Sequence, residues 1–348
     1  MWRYVLITLV VTIGLGFVPG KPDPVRQQYP NQLSEYGFFA GNIADQIPEE
    51  GVVPYDLNTP LFSDYAEKLR FVKLPEGEAV PYNETEVLNF PVGTVLIKTF
   101  YYHTDERKPA KGRNLLETRL LIHEEDGWTA IPYHWDDKQT DAFLEVAGDT
   151  KDIKWTDASG KKRKLAYSMP NMNQCKGCHS YDGAMRPIGP SARQLNGDFE
   201  YREGTANQLD SWAKRDILTD LPEEQAEIPR IAVWNDPSTG SLDQRARAWL
   251  DINCAHCHNP HGPANTSGFF LDIHQTDLGA LGVNKTPVAA GRGSGGFLYD
   301  IHPGKPEKSI LIHRMESVDP GVMMPEVGRK LVHEEGLALI KDWIREMK

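Results

Sequence analysis

Residues 241–258 read SLDQRARAWLDINCAHCH, and the rest of the chain is parsed outward from them. Ser241-Leu242-Asp243-Gln244 has the form of a capping box, so a helix is expected to begin at Ser241. The C-terminal end of that helix delivers Cys254-Ala255-His256-Cys257-His258. A second segment of the same form, Cys175-Lys176-Gly177-Cys178-His179, lies upstream, and the two together use all 4 cysteines.

C-x-x-C-H is the attachment signature of c-type haem. Two thiols add to the two vinyl groups as thioethers, and the adjacent histidine reaches the iron from one face. The residues therefore predict two covalently bound haem c groups. Cys175, Cys178, Cys254 and Cys257 would attach them, and His179 and His258 would be the iron ligands. A structural zinc site places its two C-x-x-C pairs about 15–20 residues apart. Here 75 residues, 179–253, separate them, and zinc does not account for a histidine after both pairs. Two-residue disulfide rings would signal redox chemistry and not a structural bridge. A repeated thioredoxin-like site does not fit a loop-rich background.

Downstream, PEKSILIHRMES (306–317) and LVHEEGLALIKDWIREM (331–347) have helical patterning. In the second, Gly336, Leu339, Ile340, Trp343, Ile344 and Met347 share one face. Between them runs Asp319-Pro320-Gly321-Val322-Met323-Met324-Pro325. This arrangement over roughly 240–348 resembles a class I cytochrome c domain. The resemblance implies a small residue at the helix crossing, for which Gly336 stands, and a Met-Pro loop supplying the sixth iron ligand. That ligand is Met324, with Met323 as the alternative. His/Met ligation raises the reduction potential. The Gly-rich VAAGRGSGGF (288–297) lacks the context of a phosphate loop. It reads either as a tight turn with Arg292 near a haem propionate or as a surface loop.

The sixth ligand of the first haem is open on sequence grounds. Met185 follows His179 by only six residues, and Met315 would be supplied from the second domain. Met169, His134, His302, His313 and an open position are the other readings.

Upstream of residue 166 the patterning is β-like. GTVLIKTFYYH, TRLLIHEED, GWTAIPYHW, AFLEVAG and DIKWTDASGKKRKLAY are rich in β-branched and aromatic residues and bounded by turn residues. Asp157-Ala158-Ser159-Gly160 is expected to be a hairpin turn. Beyond it, Asn171 caps a helix carrying the first motif, and NQLDSWAKRDIL (207–218) reads as an amphipathic helix. The expected fold class is α+β multidomain: an antiparallel β-rich N-terminal domain (21–165) followed by α-helical cytochrome c-type haem domains (166–238 and 239–348).

The chain opens MWRYVLITLVVTIGLGFVPG, one basic residue followed by an apolar run shorter than the roughly 20 residues of a comfortable membrane span. Residues 1–20 read as a signal peptide, or as an anchor if uncleaved. Periplasmic localisation is expected, with membrane association only in the anchored case. Across 348 residues, 38 Lys and Arg face 49 Asp and Glu, a formal net charge of −11. That balance argues against nucleic-acid binding and favours a basic protein partner. The pair Asp136 and Asp137 reads as a solvated turn, and His103 and His123 as strand residues.

The post-signal chain resembles a family of exported bacterial di-haem c-type cytochromes with a β-rich N-terminal region and a C-terminal class I cytochrome c-like domain. The segments carrying the resemblance are LSEYGFFAG, VVPYDLNTPLFSDYAEKLRFV, FPVGTVLIKTFYY, RQLN, VAAGRGSGG and RMESVDPGVMMPEVGR, beside both C-x-x-C-H motifs. It implies the six attachment residues and Met324 as ligand. The function expected is electron transfer between redox partner proteins, with no small-molecule substrate and no catalytic residue inferred. The alternative is a peroxidase-like di-haem oxidoreductase with one open iron. A non-catalytic haem subunit of a larger exported complex is a third reading.

Overall fold

Period-two patterning in the middle of the chain builds the sheet on which everything else rests. In this computed structural model, which describes residues 28–348, β1 (Val52–Tyr55), β2 (Glu67–Lys73), β3 (Val80–Pro81), β4 (Val95–His103), β5 (Arg113–Glu124), β6 (Gly127–Trp135) and β7 (Ala142–Leu144) occur in that order. Six of them form one antiparallel sheet in the order β1-β2-β4-β5-β6-β7. The short β3 pairs in parallel with Leu218–Thr219 instead. A further hairpin, β8 (Asp149–Thr156) and β9 (Lys162–Met169), turns at Asp157–Gly160, where Gly160 has a φ of 88°.

Register sorts the side chains into rows. Phe71, Ile97, Leu120 and Ile131 are cross-strand partners on one face. They are buried under Leu33, Phe38, Phe39 and Ile43 from the N-terminal turns. On the opposite face the row Val72, Leu96, Leu121, Ala130 joins a second core containing Cys175, Leu195 and Trp212. Farther along that face, Phe100 packs with Leu116, Trp155 and Tyr167.

The helices are short. They are α1 (Met172–His179), α2 (Ala192–Leu195), α3 (Gln208–Lys214), α4 (Leu242–Leu250), α5 (Ile310–Glu316) and α6 (Glu334–Glu346). Asn171 and Ser241 cap α1 and α4, each accepting from the third residue of its helix, with Gln174 and Gln244 reciprocating. After α4 the chain continues as a π-helical turn, Asp251–Ala255, a form that recurs at functional sites. A third core holds α4, α5 and α6 together through Trp249, Leu250, Ile312, Ile340 and Trp343.

The expected fold class is corrected. The described chain is mainly antiparallel β-sheet with short helices, and the residues C-terminal to the sheet do not build α-helical cytochrome c-type domains. The physical reason is turn chemistry. The expected helix at 207–218 ends at Lys214, and Asp216 stands in the left-handed region at φ 58°. Between the π-helical turn and α5 the described backbone forms turns and short 3₁₀ segments, with positive φ at Gly268, Gly282, Asn284, Gly291, Gly295, Gly296 and Gly304. The proposed signal or anchor, residues 1–20, lies outside the described residues. No helix among the described residues is long and apolar enough to cross a membrane.

Candidate functional site

The two C-x-x-C-H segments are far apart in sequence and adjacent in space. Capped α1 brings Cys175, Cys178 and His179 onto the inner face of the sheet, where Cys175 is buried against the Leu96 and Leu121 core. The π-helical turn after α4 carries Cys254, and Cys257 lies just beyond it, where it meets the first segment. The Cys257 Sγ lies 3.7 Å from the Gly177 carbonyl, and the thiols of Cys178 and Cys257 face each other. All four cysteines are free.

Each segment fixes its histidine in the same way. The Nδ1–H of His179 donates to the Arg186 carbonyl at 2.8 Å, and that of His258 donates to the Phe269 carbonyl at 3.2 Å. Since a carbonyl only accepts, Nδ1 carries the proton in both rings and Nε2 keeps its lone pair. This is the outer-sphere arrangement that orients a ligating imidazole. Burial holds both histidines down to about 4, so both are neutral near pH 7. Between the facing thiols, the hydrogen bond from Cys257 holds Cys178 down to about 4 and pushes Cys257 up. Burial pushes Cys254 up to about 12.

A cavity enclosing about 1720 Å³, including its open mouth, lies between the sheet and these segments. Leu96, Lys98, Phe100, Arg119 and Leu121 form its floor, and Cys175, Cys178, His179, His256, Met315 and Met324 line it from the other side. Met324 was expected to serve the second segment, yet it shares this cavity with His179. Met315 does so as well.

Met185 does not line this cavity. The chain reverses directly after His179, pairing Ser180–Tyr181 with Ala184–Met185, and Met185 packs against the core that contains Cys175. Met169 is buried in the Phe100 cluster. His134 sits across the strand pair from Glu117, and neither of its ring nitrogens has a hydrogen-bond partner among the described residues. His302 packs edge-on to Tyr299, and His313 to Phe297. Arg292 pairs with Asp319 at 2.9 Å and so ties the Gly-rich loop to the Met323–Met324 loop. Asp136 accepts from the Thr140 N–H at 2.7 Å in a turn.

Two features of the site were missed in the sequence. Arg329, only 6% exposed, donates to the carbonyls of Arg314, Met315, Ser317, Met324 and Leu331 and so pins the loop carrying Met324. The other is the group of cations on the cavity floor. Lys68, Arg70, Lys98 and Arg119 sit among apolar neighbours in β2, β4 and β5, and no motif marks them.

No family model, no curated protein and no solved structure matches the chain. The resemblance to exported di-haem c-type cytochromes with a class I C-terminal domain is therefore corrected: no match supports it, and the β-rich chain with short helices departs from a helical cytochrome. The cofactor expectation, two covalently bound haem c irons, is corrected too. Among the described residues no group of three or more His, Cys, Asp or Glu side chains could hold a metal ion. These residues build no metal centre from their own side chains. What each segment offers is two thiols and one oriented imidazole.

Proposed function

We propose that this chain is a periplasmic electron carrier, with the function of a c-type cytochrome, that passes electrons between redox partner proteins. The observation that carries the reading is the pairing of the two C-x-x-C-H segments in space: two segments of attachment chemistry abut at Cys178 and Cys257, and each presents an imidazole whose Nδ1 is tied to a carbonyl. Positions this close would allow electron exchange within one molecule, which is what a carrier between two partners requires. The acidic chain favours a basic partner, with an association rate that falls as salt rises.

A mediated optical redox titration of the exported protein, repeated under carbon monoxide, tests this. A reversible visible-band change unaffected by carbon monoxide supports the carrier. A reduced state that binds carbon monoxide favours the enzymatic alternative, for which the large cavity beside His179 is the supporting feature. No reversible change in the visible overturns both.

A further inference from the structure

The face of the sheet that floors the cavity carries an unusual row of charge. Arg70 on β2, Lys98 on β4 and Arg119 on β5 are direct cross-strand partners, so three cations stand side by side over roughly 10 Å. Lys68 lies two residues from Arg70 on the same face. Like charges directly opposite one another destabilise a sheet. The arrangement recurs nowhere else in the described sheet and stands out in a chain of net charge −11.

The available carboxylates do not balance it. Arg70 pairs with Asp56, and Arg119 forks onto Glu117 with contacts of 2.8 and 2.5 Å. Glu117 is fully buried and also accepts from the Tyr167 hydroxyl at 2.8 Å. Lys68 donates only to the Leu61 carbonyl, at 3.0 Å. Lys98 has no acid partner among the described residues and lies 5.2 Å from the centre of the Phe100 ring. All four cations line the cavity, and among the described residues no Asp or Glu does. Half-burying two ammonium groups, Lys68 and Lys98, without counter-charge is costly, and an anion in the cavity would offset that cost.

We infer that the row Arg70–Lys98–Arg119, with Lys68, is an anion site that takes carboxylate groups inside the cavity. The inference goes beyond the electron-transfer reading, and of its two sources only a group held on the cysteines rests on that reading. Two sources have this chemistry: acidic arms of a group held on the cysteines, or a free dicarboxylate. Burial and the neighbouring guanidinium groups of Arg119 and Arg70 draw Lys98 down to about 7, which agrees with a site short of negative charge.

The test is the melting temperature of the exported full chain, with and without succinate, for the wild type and for Lys98→Met and Lys98→Arg. If the carboxylates belong to a held group, succinate leaves the wild type unchanged, Lys98→Met melts several degrees lower, and Lys98→Arg recovers most of the loss. If they are free, succinate raises the wild-type melting temperature and leaves Lys98→Met unmoved. Two results overturn the inference. One is a Lys98→Met protein that melts at or above the wild type with no succinate response in either. The other is Lys98→Arg falling as far as Lys98→Met, again without a response. The succinate arm is read independently of visible absorbance, so failure of the electron-carrier reading is distinguishable from failure of this one.

Discussion

The Arg329 guanidinium holds the Met324 carbonyl twice, from Nε at 3.1 Å and from Nη2 at 2.8 Å. The same side chain reaches the carbonyls of Arg314, Met315 and Ser317, so one buried cation fixes the backbone of both methionines that line the cavity. Arg329→Met removes the shared donor from these carbonyls, of which that of Arg314 keeps the Met324 N–H, and is expected to destabilise the protein by about 3 kcal/mol in urea unfolding. Arg329→Lys restores little of this, because an ammonium cannot fork across several carbonyls.

The three candidate methionines are expected to separate by their effects. Met185 is packing, so Met185→Ala should cost about 2 kcal/mol of stability and leave the reduction potential unchanged. Met324→Ala and Met315→Ala enlarge the cavity that His179 also lines, and a lowered reduction potential in either variant would mark its thioether as acting on the redox group. Parallel urea melts and redox titrations of the three variants check this.

His333 predicts a pH dependence. Its ring stacks on Phe62 with centroids 4.3 Å apart, and its Nδ1 accepts from the Trp249 indole at 3.1 Å. Burial lowers its pKa to about 4, against an opposing pull from Glu335. The folded pKa is below the unfolded one, so the unfolded chain binds the proton more readily. The stability contributed is complete above about pH 6.5 and is lost as pH falls towards 4. His333→Asn keeps an acceptor for Trp249 without the titration. Its unfolding free energy should fall less steeply than that of the wild type over this window, with His179 and His258 supplying the slope that stays.

Gly336 marks where α6 crosses α4. A Cβ there would come within 2.6 Å of both Trp249 Nε1 and His333 Nδ1. Gly336→Ala should destabilise by about 2 kcal/mol, although alanine is the better helix former. A gain in stability on thermal melting would contradict the crossing.

Local chemistry was legible in the sequence. The caps at Asn171 and Ser241, the hairpin at Asp157–Gly160 and the strands around Ile97 and Leu120 each depend on residues close together in the chain. Gly336 as a close approach came from the resemblance and not from local patterning. What depends on pairing across the chain was not legible. Arg70, Lys98 and Arg119 lie on three strands, and only register makes them a row. The reversal at Ser180–Met185 turns Met185 towards the core, which spacing alone, leaving it one of several open candidates, could not show. The helical cytochrome expectation extended short capped helices through segments whose positive-φ residues end them, as at Asp216.

The electron-carrier reading needs a redox group on this chain, and the two C-x-x-C-H segments are where attachment would be read. The most direct measurement is the intact mass of the exported chain under denaturing conditions, compared with Cys175→Ser/Cys178→Ser and Cys254→Ser/Cys257→Ser. The electron-carrier reading predicts a mass above that of the polypeptide, half of the excess lost in each double variant, and no alkylatable thiol in the wild type. A bare polypeptide mass with all 4 cysteines open to alkylation would contradict it.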